Sequence, residues 1–295
     1  MEKEVAIGLD IGGTKIKAGI VNANGHVCGT PLTIPTDSHA PAEIIINNII
    51  TLLENVIKES TDSIVIDGIG IGCTGPVDCR RGIILDVLNL PTLNYFPLKE
   101  VVEQKFSLQV LMNNDANAMI LGEAVWGAGC NAESVLGITL GTGLGCAFVT
   151  NRQIWHGYSE CAGEIWTSPY KEGIIEDYVS GHAVTRLYKQ YTNKELSSQD
   201  IASLARSGDE PAILVWSVFA EALAYTLAWT VNLCDPQIVV IGGSITKSAD
   251  LYWTRMNELF HKYICRQTAQ KISVVPASFN DDAGFIGAAT LILKQ

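Results

Sequence analysis

The sequence has no pair of cysteines at two-residue spacing, no glycine-lysine-serine or glycine-lysine-threonine triplet, and no low-complexity stretch or long charged linker. The first absence removes the usual spacing of a structural metal ribbon. The eight cysteines, at 28, 73, 79, 130, 146, 161, 234 and 265, then read as reduced packing thiols of a cytosolic protein. The second excludes a phosphate loop of the Walker type. The third implies that any internal division is a structured crossover, expected near Asp115 to Gly122. Basic residues are also scarce, 20 against 31 acidic ones for a net charge of −11, so no nucleic-acid partner is expected. The opening Met1-Glu-Lys-Glu-Val-Ala lacks the apolar core of a secretory signal, and a cytoplasmic location is expected.

What is present is a 295-residue chain, 47% hydrophobic, with about two domains' worth of length. Its longest apolar run, Ala212 to Cys234, is long enough to cross a bilayer, but Glu221, Tyr225, Thr226, Thr230 and Asn232 interrupt it and no basic flank anchors it. It reads as a buried helix at a subunit contact, not as a membrane segment.

Strand and helix signals alternate from the start. Val5 to Leu9 and Ile16 to Val21 flank a glycine turn and predict a hairpin. A strand near Val27 to Ile34 follows, then a helix from about Pro41 to Glu59 started by Asp37-Ser38 with apolar positions 44, 45, 49, 52, 53 and 56, then an apolar strand over 64–71. About 130 residues after the first, a second glycine-turned hairpin is predicted from Ser134–Leu140, Gly141-Thr-Gly-Leu-Gly145 and Cys146–Thr150. Helices at 181–191 and 211–234, a strand at 237–241 and a last helix over 283–293 complete the pattern. Two similar α/β units predict a two-lobed molecule with a cleft.

Four motifs bear on chemistry. Asp10-Ile-Gly-Gly-Thr-Lys-Ile16 sets a carboxylate at a strand end before a turn whose amides and Thr14 hydroxyl can hold phosphate oxygens, with Asp10 placed to hold Mg²⁺ through water. A tight hairpin turn uses the same glycines. The second turn, with Thr142, gains weight from its pairing with the first. Gly70-Ile-Gly-Cys-Thr-Gly75 matches a dinucleotide fingerprint, but the following Pro76 to Gly82 reads as a turn with another strand behind it instead of the required helix. Asn113-Asn114-Asp115-Ala-Asn117 follows the strand-like 108–112 and places an acid and amides at its carboxyl end, where Asp115 can take a hydroxyl proton and Asn114 can orient a ring; a helix cap is the competing account. The five histidines form no cluster, and no Ser/His/Asp arrangement follows from spacing.

Together these residues resemble the ROK sugar kinases and repressors, within the superfamily of actin, hexokinase and the heat-shock chaperone ATPases. The resemblance rests on Asp10-Ile-Gly-Gly-Thr-Lys15, Gly75-Pro-Val-Asp78, Asn89-Leu-Pro91, Asn114-Asp115-Ala-Asn-Ala118, Leu140-Gly-Thr-Gly-Leu-Gly145, Ala162-Gly-Glu164, Ile241-Gly-Gly-Ser244 and Asp282-Ala-Gly284, in the family's order across nearly the whole chain. It implies an α/β, two-lobed actin-like or ribonuclease H-like ATPase fold with a central cleft. The N-terminal sugar-kinase lobe would be 1–117 completed by 281–295, and 118–280 the nucleotide-binding and dimerisation lobe.

The implied activity is Mg-ATP-dependent phosphorylation of a hexose or N-acylhexosamine at a hydroxyl, usually the 6-OH, glucokinase-like, by a homodimer. An N-acetylmannosamine or other hexose kinase and a polyphosphate donor stay open. Carried over by motif, Asp115 is the base, and Asn89, Asn114, Glu164 and Glu176 contact the sugar. Asp10, Gly12, Gly13, Thr14, Lys15, Gly141, Thr142 and Gly143 contact phosphates, and Gly242 and Gly243 lie near the adenosine. Glu176 enters because Gly173-Ile-Ile-Glu-Asp-Tyr-Val-Ser-Gly181 looks like the family's segment in which a sugar-binding glutamate precedes serine-glycine.

Between Glu164 and Glu176 the resemblance breaks. The family pattern there supplies a histidine and three cysteines for zinc; here Thr167 stands at the histidine position and the segment has neither residue type. No zinc is expected, and Trp166 and Tyr170 are expected to pack in its place, with stacking against a sugar face the alternative. A repressor of the same family would carry a helix-turn-helix ahead of the first turn, but only nine residues precede Asp10. A non-catalytic sugar-binding regulator would need no base at 115.

Overall fold

The computed structural model describes residues 3–59 and 64–293. They form two compact units: residues 1–131, 151–162 and 281–295, and residues 132–150 and 163–280. The division falls at 131/132, not at the expected 117/118, because the helix that spans residue 117 packs along its length on the C-terminal helix of the first unit.

In the first unit β1 (Lys3–Ile11), β2 (Lys15–Asn22) and β3 (Val27–Pro35) are antiparallel neighbours, and β4 (Ile64–Cys73) and β7 (Gln109–Asn114) add to β1 in parallel, in the order β3-β2-β1-β4-β7. The tiny hairpin β5 (Val77–Asp78) and β6 (Ile83–Ile84) follows β4, so the segment after Gly75 is a turn and strand, as its sequence indicates, and not the helix of a dinucleotide site. Three helices, α1 (Ala42–Lys58), α2 (Leu98–Phe106) and α3 (Asp115–Val125), with α9 (Ala283–Leu293), pack on this sheet; β10 is the pair Gln153–Ile154.

Two details of α1 differ from expectation. Its N-cap is Pro41 without a side-chain cap, because Asp37 is taken up in a left-handed turn (φ 50°) whose carbonyl accepts the Ala40 N–H at 2.7 Å. Ile44 faces solvent and Ile46 is buried in its place, so the buried stripe is 45, 46, 49, 52, 53 and 56.

α9 lies unusually close to the sheet. A Cβ at Gly8 of β1 or Gly70 of β4 would run into the Phe285 or Ala288 carbonyl of α9, and one at Gly122 of α3 would stand 2.8 Å from the Gly287 Cα. Strand glycines seldom help a sheet; these let a helix backbone approach it.

The second unit repeats the plan. β8 (Ser134–Leu140) and β9 (Leu144–Thr150) form the predicted hairpin, and β13 (Ile238–Gly242) and β14 (Ser273–Pro276) extend it in parallel beyond β8. Between them come the hairpin β11 (Pro169–Tyr170) and β12 (Gly173–Ile174), then α4 (Gly181–Thr192), α5 (Ser198–Arg206) and α6 (Glu210–Cys234); α7 (Ala249–Tyr263) and α8 (Arg266–Ala269) follow β13.

α6 is the long apolar run. Asp209 caps it by accepting the Ala212 N–H at 2.9 Å, and Asp235 ends it in the left-handed region. Trp216, Phe219, Leu223, Leu227 and Val231 are fully buried, while Thr226 and Thr230 satisfy their hydroxyls on the carbonyls of Ala222 and Thr226 at 2.8 and 2.9 Å. Among the described residues it is the one helix long and apolar enough to cross a membrane, and it forms the core of this unit instead.

All eight cysteines are free thiols, but Cys161 and Cys265 are exposed, so the packing role expected of them all does not extend to these two.

Candidate active site

Strand register assembles the first unit's residues. Asp10, near the end of β1, pairs with Lys17 on β2 and Gly72 on β4; Gly72 pairs in turn with Asn113 on β7, and Cys73 with Asn114. The carboxyl ends of three parallel strands therefore lie side by side, where ligands bind open α/β sheets.

Asn114 is also the cap that the competing account required: its Oδ1 accepts the N–H of Ala116 at 2.9 Å and of Asn117 at 3.3 Å. The two accounts coexist, because the cap consumes Asn114 Oδ1 and leaves half-buried Asp115 as the first helical residue. Beneath them Asn113 Oδ1 accepts the Asn114 N–H at 2.9 Å and Asn117 Nδ2 at 3.1 Å, fixing the strand-to-helix corner.

Electrostatics show that Asp10 and Asp115 sense each other. Burial, then the Asp115 carboxylate, raise the Asp10 pKa to about 7, against the pull of Lys15 and Lys17. Burial and then the same two acids push the Cys73 thiol well above its ordinary range. Asp10 Oδ2 lies against Gly284 in the first turn of α9, with no room for a Cβ, at the positive end of that helix. Lys17 is held there too: its Nζ meets Asp282 Oδ1 at 2.5 Å and lies 5.5 Å from the Phe285 ring centre.

The first glycine turn closes with Gly12 N–H donating to the Lys15 carbonyl at 3.1 Å. Fully buried Thr36 holds it from behind: its hydroxyl donates to the Gly12 carbonyl at 2.7 Å and its N–H to the Thr14 carbonyl at 3.0 Å. With those carbonyls drawn inward, the amides of Gly13 and Thr14 have no backbone partner among the described residues, which suits an anion. A Cβ on Gly13 would stand 3.0 Å from that of Asn89, so Asn89 is brought to the turn.

Sequence reasoning missed Thr36 and Lys17, whose one local signal was position: Thr36 directly follows β3, and Lys17 faces Asp10 across the hairpin. Thr36→Val is expected to lose about 1–3 kcal/mol of stability by stranding the Gly12 carbonyl, and Thr36→Ser to keep it, as read by urea denaturation.

In the second unit the Gly141–Gly145 turn is held by α4. Gly181 and His182 donate their N–H groups to the carbonyls of Gly141 at 2.8 Å and Thr142 at 3.3 Å, and Ser180 caps the helix by accepting the Ala183 N–H at 2.9 Å. The Thr142 side is exposed. Glu176 Oε2 accepts the Leu144 N–H at 2.7 Å and lies over Gly143, so this glutamate is anchored on the turn itself. Gly243, at φ 91° after β13, packs on the end of β8 at Leu140, where a Cβ has no room. Glu164 is exposed and accepts a hydrogen bond from Trp166 Nε1. Trp166 and Tyr170 both pack against the core of this unit.

The comparisons extend this geometry. The chain is 30% identical to a glucokinase of Halalkalibacterium halodurans, over 98% of this chain and 95% of that protein. It is 30% identical to an N-acetyl-D-glucosamine kinase of Vibrio parahaemolyticus, over 97% and 99%. Among solved structures it is similar to a ROK family glucokinase from Streptomyces griseus in complex with glucose and AMPPNP, with 28% identity, TM-score 0.84, and 99% and 100% of the two chains covered. The sequence model of the ROK family matches residues 6–295, so the chain belongs to the ROK family and has its actin-like ATPase fold.

Proposed function

We propose that this chain is an ATP-dependent hexose kinase that moves the γ-phosphoryl group to a sugar hydroxyl, the 6-OH of glucose or of an N-acylglucosamine before others, with Asp115 as general base. Family membership and the glucokinase and N-acetylglucosamine kinase relatives support a sugar kinase, and the AMPPNP complex of the S. griseus enzyme supports ATP as donor. The observation that carries the chemistry is the strand-end constellation of Asp10, Gly72, Asn114 and Asp115 beside an amide-presenting turn.

Phosphoryl transfer asks the protein for aim, charge compensation and one proton acceptor. Asp115 takes the hydroxyl proton as the oxygen attacks. Asn89, Asn114, Glu164 and Glu176 hold the other hydroxyls by hydrogen bonds and set the direction of attack. Of the glycine turns Gly12 to Lys15 and Gly141 to Gly143, the Gly13 and Thr14 amides, the Thr14 and Thr142 hydroxyls and the Lys15 ammonium serve phosphate oxygens, and Gly242 and Gly243 lie near the nucleoside.

An all-oxygen acid pair in which burial and a neighbouring carboxylate have raised Asp10 fits a hard divalent cation, and Asp10 is the residue that would hold Mg²⁺ through water. When bound with the nucleotide, that ion supplies charge neutralisation at the phosphates.

A second copy of the chain is the expected partner. Leu214, Tyr225, Trp229 and Leu233 are large apolar residues left exposed on α6, the last three at four-residue spacing, more than the scattered single exposures of a monomer. We read the protein as a soluble cytoplasmic homodimer, with light scattering as the check. The function is tested by ADP release with Mg-ATP across glucose, N-acetylglucosamine, mannose, fructose and N-acetylmannosamine, with polyphosphate as a parallel donor. Turnover of glucose or N-acetylglucosamine is expected; sugar binding without turnover of any hexose would overturn the kinase reading.

A further inference from the structure

The segment between Glu164 and Glu176, where the family resemblance implies zinc, holds a donor set that does not fit that metal. Residues 165–175 contain no histidine or cysteine, Thr167 stands at the histidine position, and among the described residues no group of three or more histidine, cysteine, aspartate or glutamate side chains gathers. The chain there folds as the hairpin β11–β12, with Pro169 paired to Ile174 and Tyr170 to Gly173.

Aromatic and cationic side chains grip this hairpin. The Tyr170 ring sits 5.1 Å from Tyr178, edge-on at 82°, and 5.0 Å from Tyr225 of α6, tilted at 38°. Lys171 Nζ lies 5.3 Å from both the Tyr170 and Tyr178 ring centres, within cation–π range. Arg186 of α4 covers Tyr178 at 5.5 Å and donates Nη2 to the Asp177 carbonyl at 2.5 Å. Lys171 has φ 52°, a backbone region that side-chain-bearing residues leave unless their surroundings hold them. Here the position is the first of the two loop residues between paired Tyr170 and Gly173, and the tight hairpin turn sets that φ.

Main-chain bonds carry the grip to both glutamates. Ser168 N–H reaches the Ile165 carbonyl at 3.0 Å, Ile175 N–H reaches the Ser168 carbonyl at 2.9 Å, and Ile174 N–H reaches Asp177 Oδ2 at 3.0 Å. Glu164 is held through Trp166 at one end and Glu176 through the Leu144 N–H at the other. What lies between them is pinned to α6 through Tyr170.

We propose that Tyr170, clasped by Tyr178, Tyr225 and Lys171, is a positioning residue for sugar binding that does with stacked rings what a metal cross-link would otherwise do, holding Glu164 and Glu176 at a fixed spacing. The inference rests on the reading of these two glutamates as sugar ligands. Tyr170 itself touches no substrate in this account; it limits the swing of the segment that does.

The test is steady-state kinetics on the full-length enzyme with Tyr170→Ala, Tyr170→Phe and Glu164→Gln, together with elemental analysis. Loss of the ring is expected to raise the sugar KM about ten- to hundred-fold, the scale of an ångström misplacement. The ATP KM is expected to stay within about twofold, and Tyr170→Phe to restore the sugar KM because the ring and not the hydroxyl makes the contacts. Equal rises in both KM values, no change, or stoichiometric zinc would overturn the proposal. Should the alanine variant be insoluble, Lys171→Met, at an exposed position, is expected to shift the sugar KM alone in the same direction, and unchanged kinetics there would overturn it. An unaltered sugar KM in Glu164→Gln would sink the sugar-site reading and this proposal with it. A raised one beside a normal Tyr170→Ala would sink the brace alone.

Discussion

Asp115→Asn is expected to fold as the wild type does and to lose about 10²–10⁴-fold in kcat, the contribution of a positioned general base. The fold should survive because Asn114 supplies the α3 cap, and the bond that Asp115 Oδ1 accepts from the Ala116 N–H at 2.8 Å can be made by an asparagine oxygen. The loss of a negative charge from the first turn of α3 costs about 0.3–1 kcal/mol at most in an exposed setting, too little to unfold a domain. Neither KM should change much, because the residue acts on the proton in flight. Measured kcat and urea midpoints decide the matter: more than about a tenth of the activity remaining would remove Asp115 from the role of base.

Gly70→Ala is expected to cost more than about 3 kcal/mol, beyond the usual range for one added methyl in a core, and to show as lost soluble yield and a lower urea midpoint. The obstacle is a backbone carbonyl, that of Ala288, which cannot rotate aside as a side chain would. Relief would require α9 to lift off β1 and β4 together, opening the packing against Gly8 and the crossing of Gly122 with Gly287. It would also disturb the site, since the first turn of α9 carries Gly284 against Asp10 and is preceded by Asp282 against Lys17. Gly141→Ala is the control: a Cβ there meets nothing within 4 Å, and its stability should be unchanged or slightly raised through the less flexible unfolded chain. A similar loss in both variants would mean that glycine flexibility, and not collision, is at issue.

Those two residues illustrate different degrees of legibility. Asp115 was visible because a polar cluster directly after an apolar strand is a local signal, and local order along the chain is what strand-end chemistry requires. Gly70 was visible only as one member of a fingerprint to be rejected; its actual purpose depends on a helix more than two hundred residues later. Thr36 gave no warning, because a threonine after a strand is ordinary until the turn that it holds is known. In α7 the signal was local, since its buried Tyr252, Met256 and Phe260 follow the helical spacing.

Periodicity, glycine turns and motif order along the chain determined the two α/β units, the two hairpins, the helix that follows Asn114 and the identity of the candidate base, because each depends on neighbours within a few residues. Register and packing decided the rest. They put Asp10 beside Asp115 through Gly72, set Thr36 and the first turn of α4 behind the two glycine turns, placed Glu176 on the second turn, and clasped Tyr170 where cysteines and a histidine were missing. These are contacts between segments far apart in the chain, and their energy exists only once both partners are held in place.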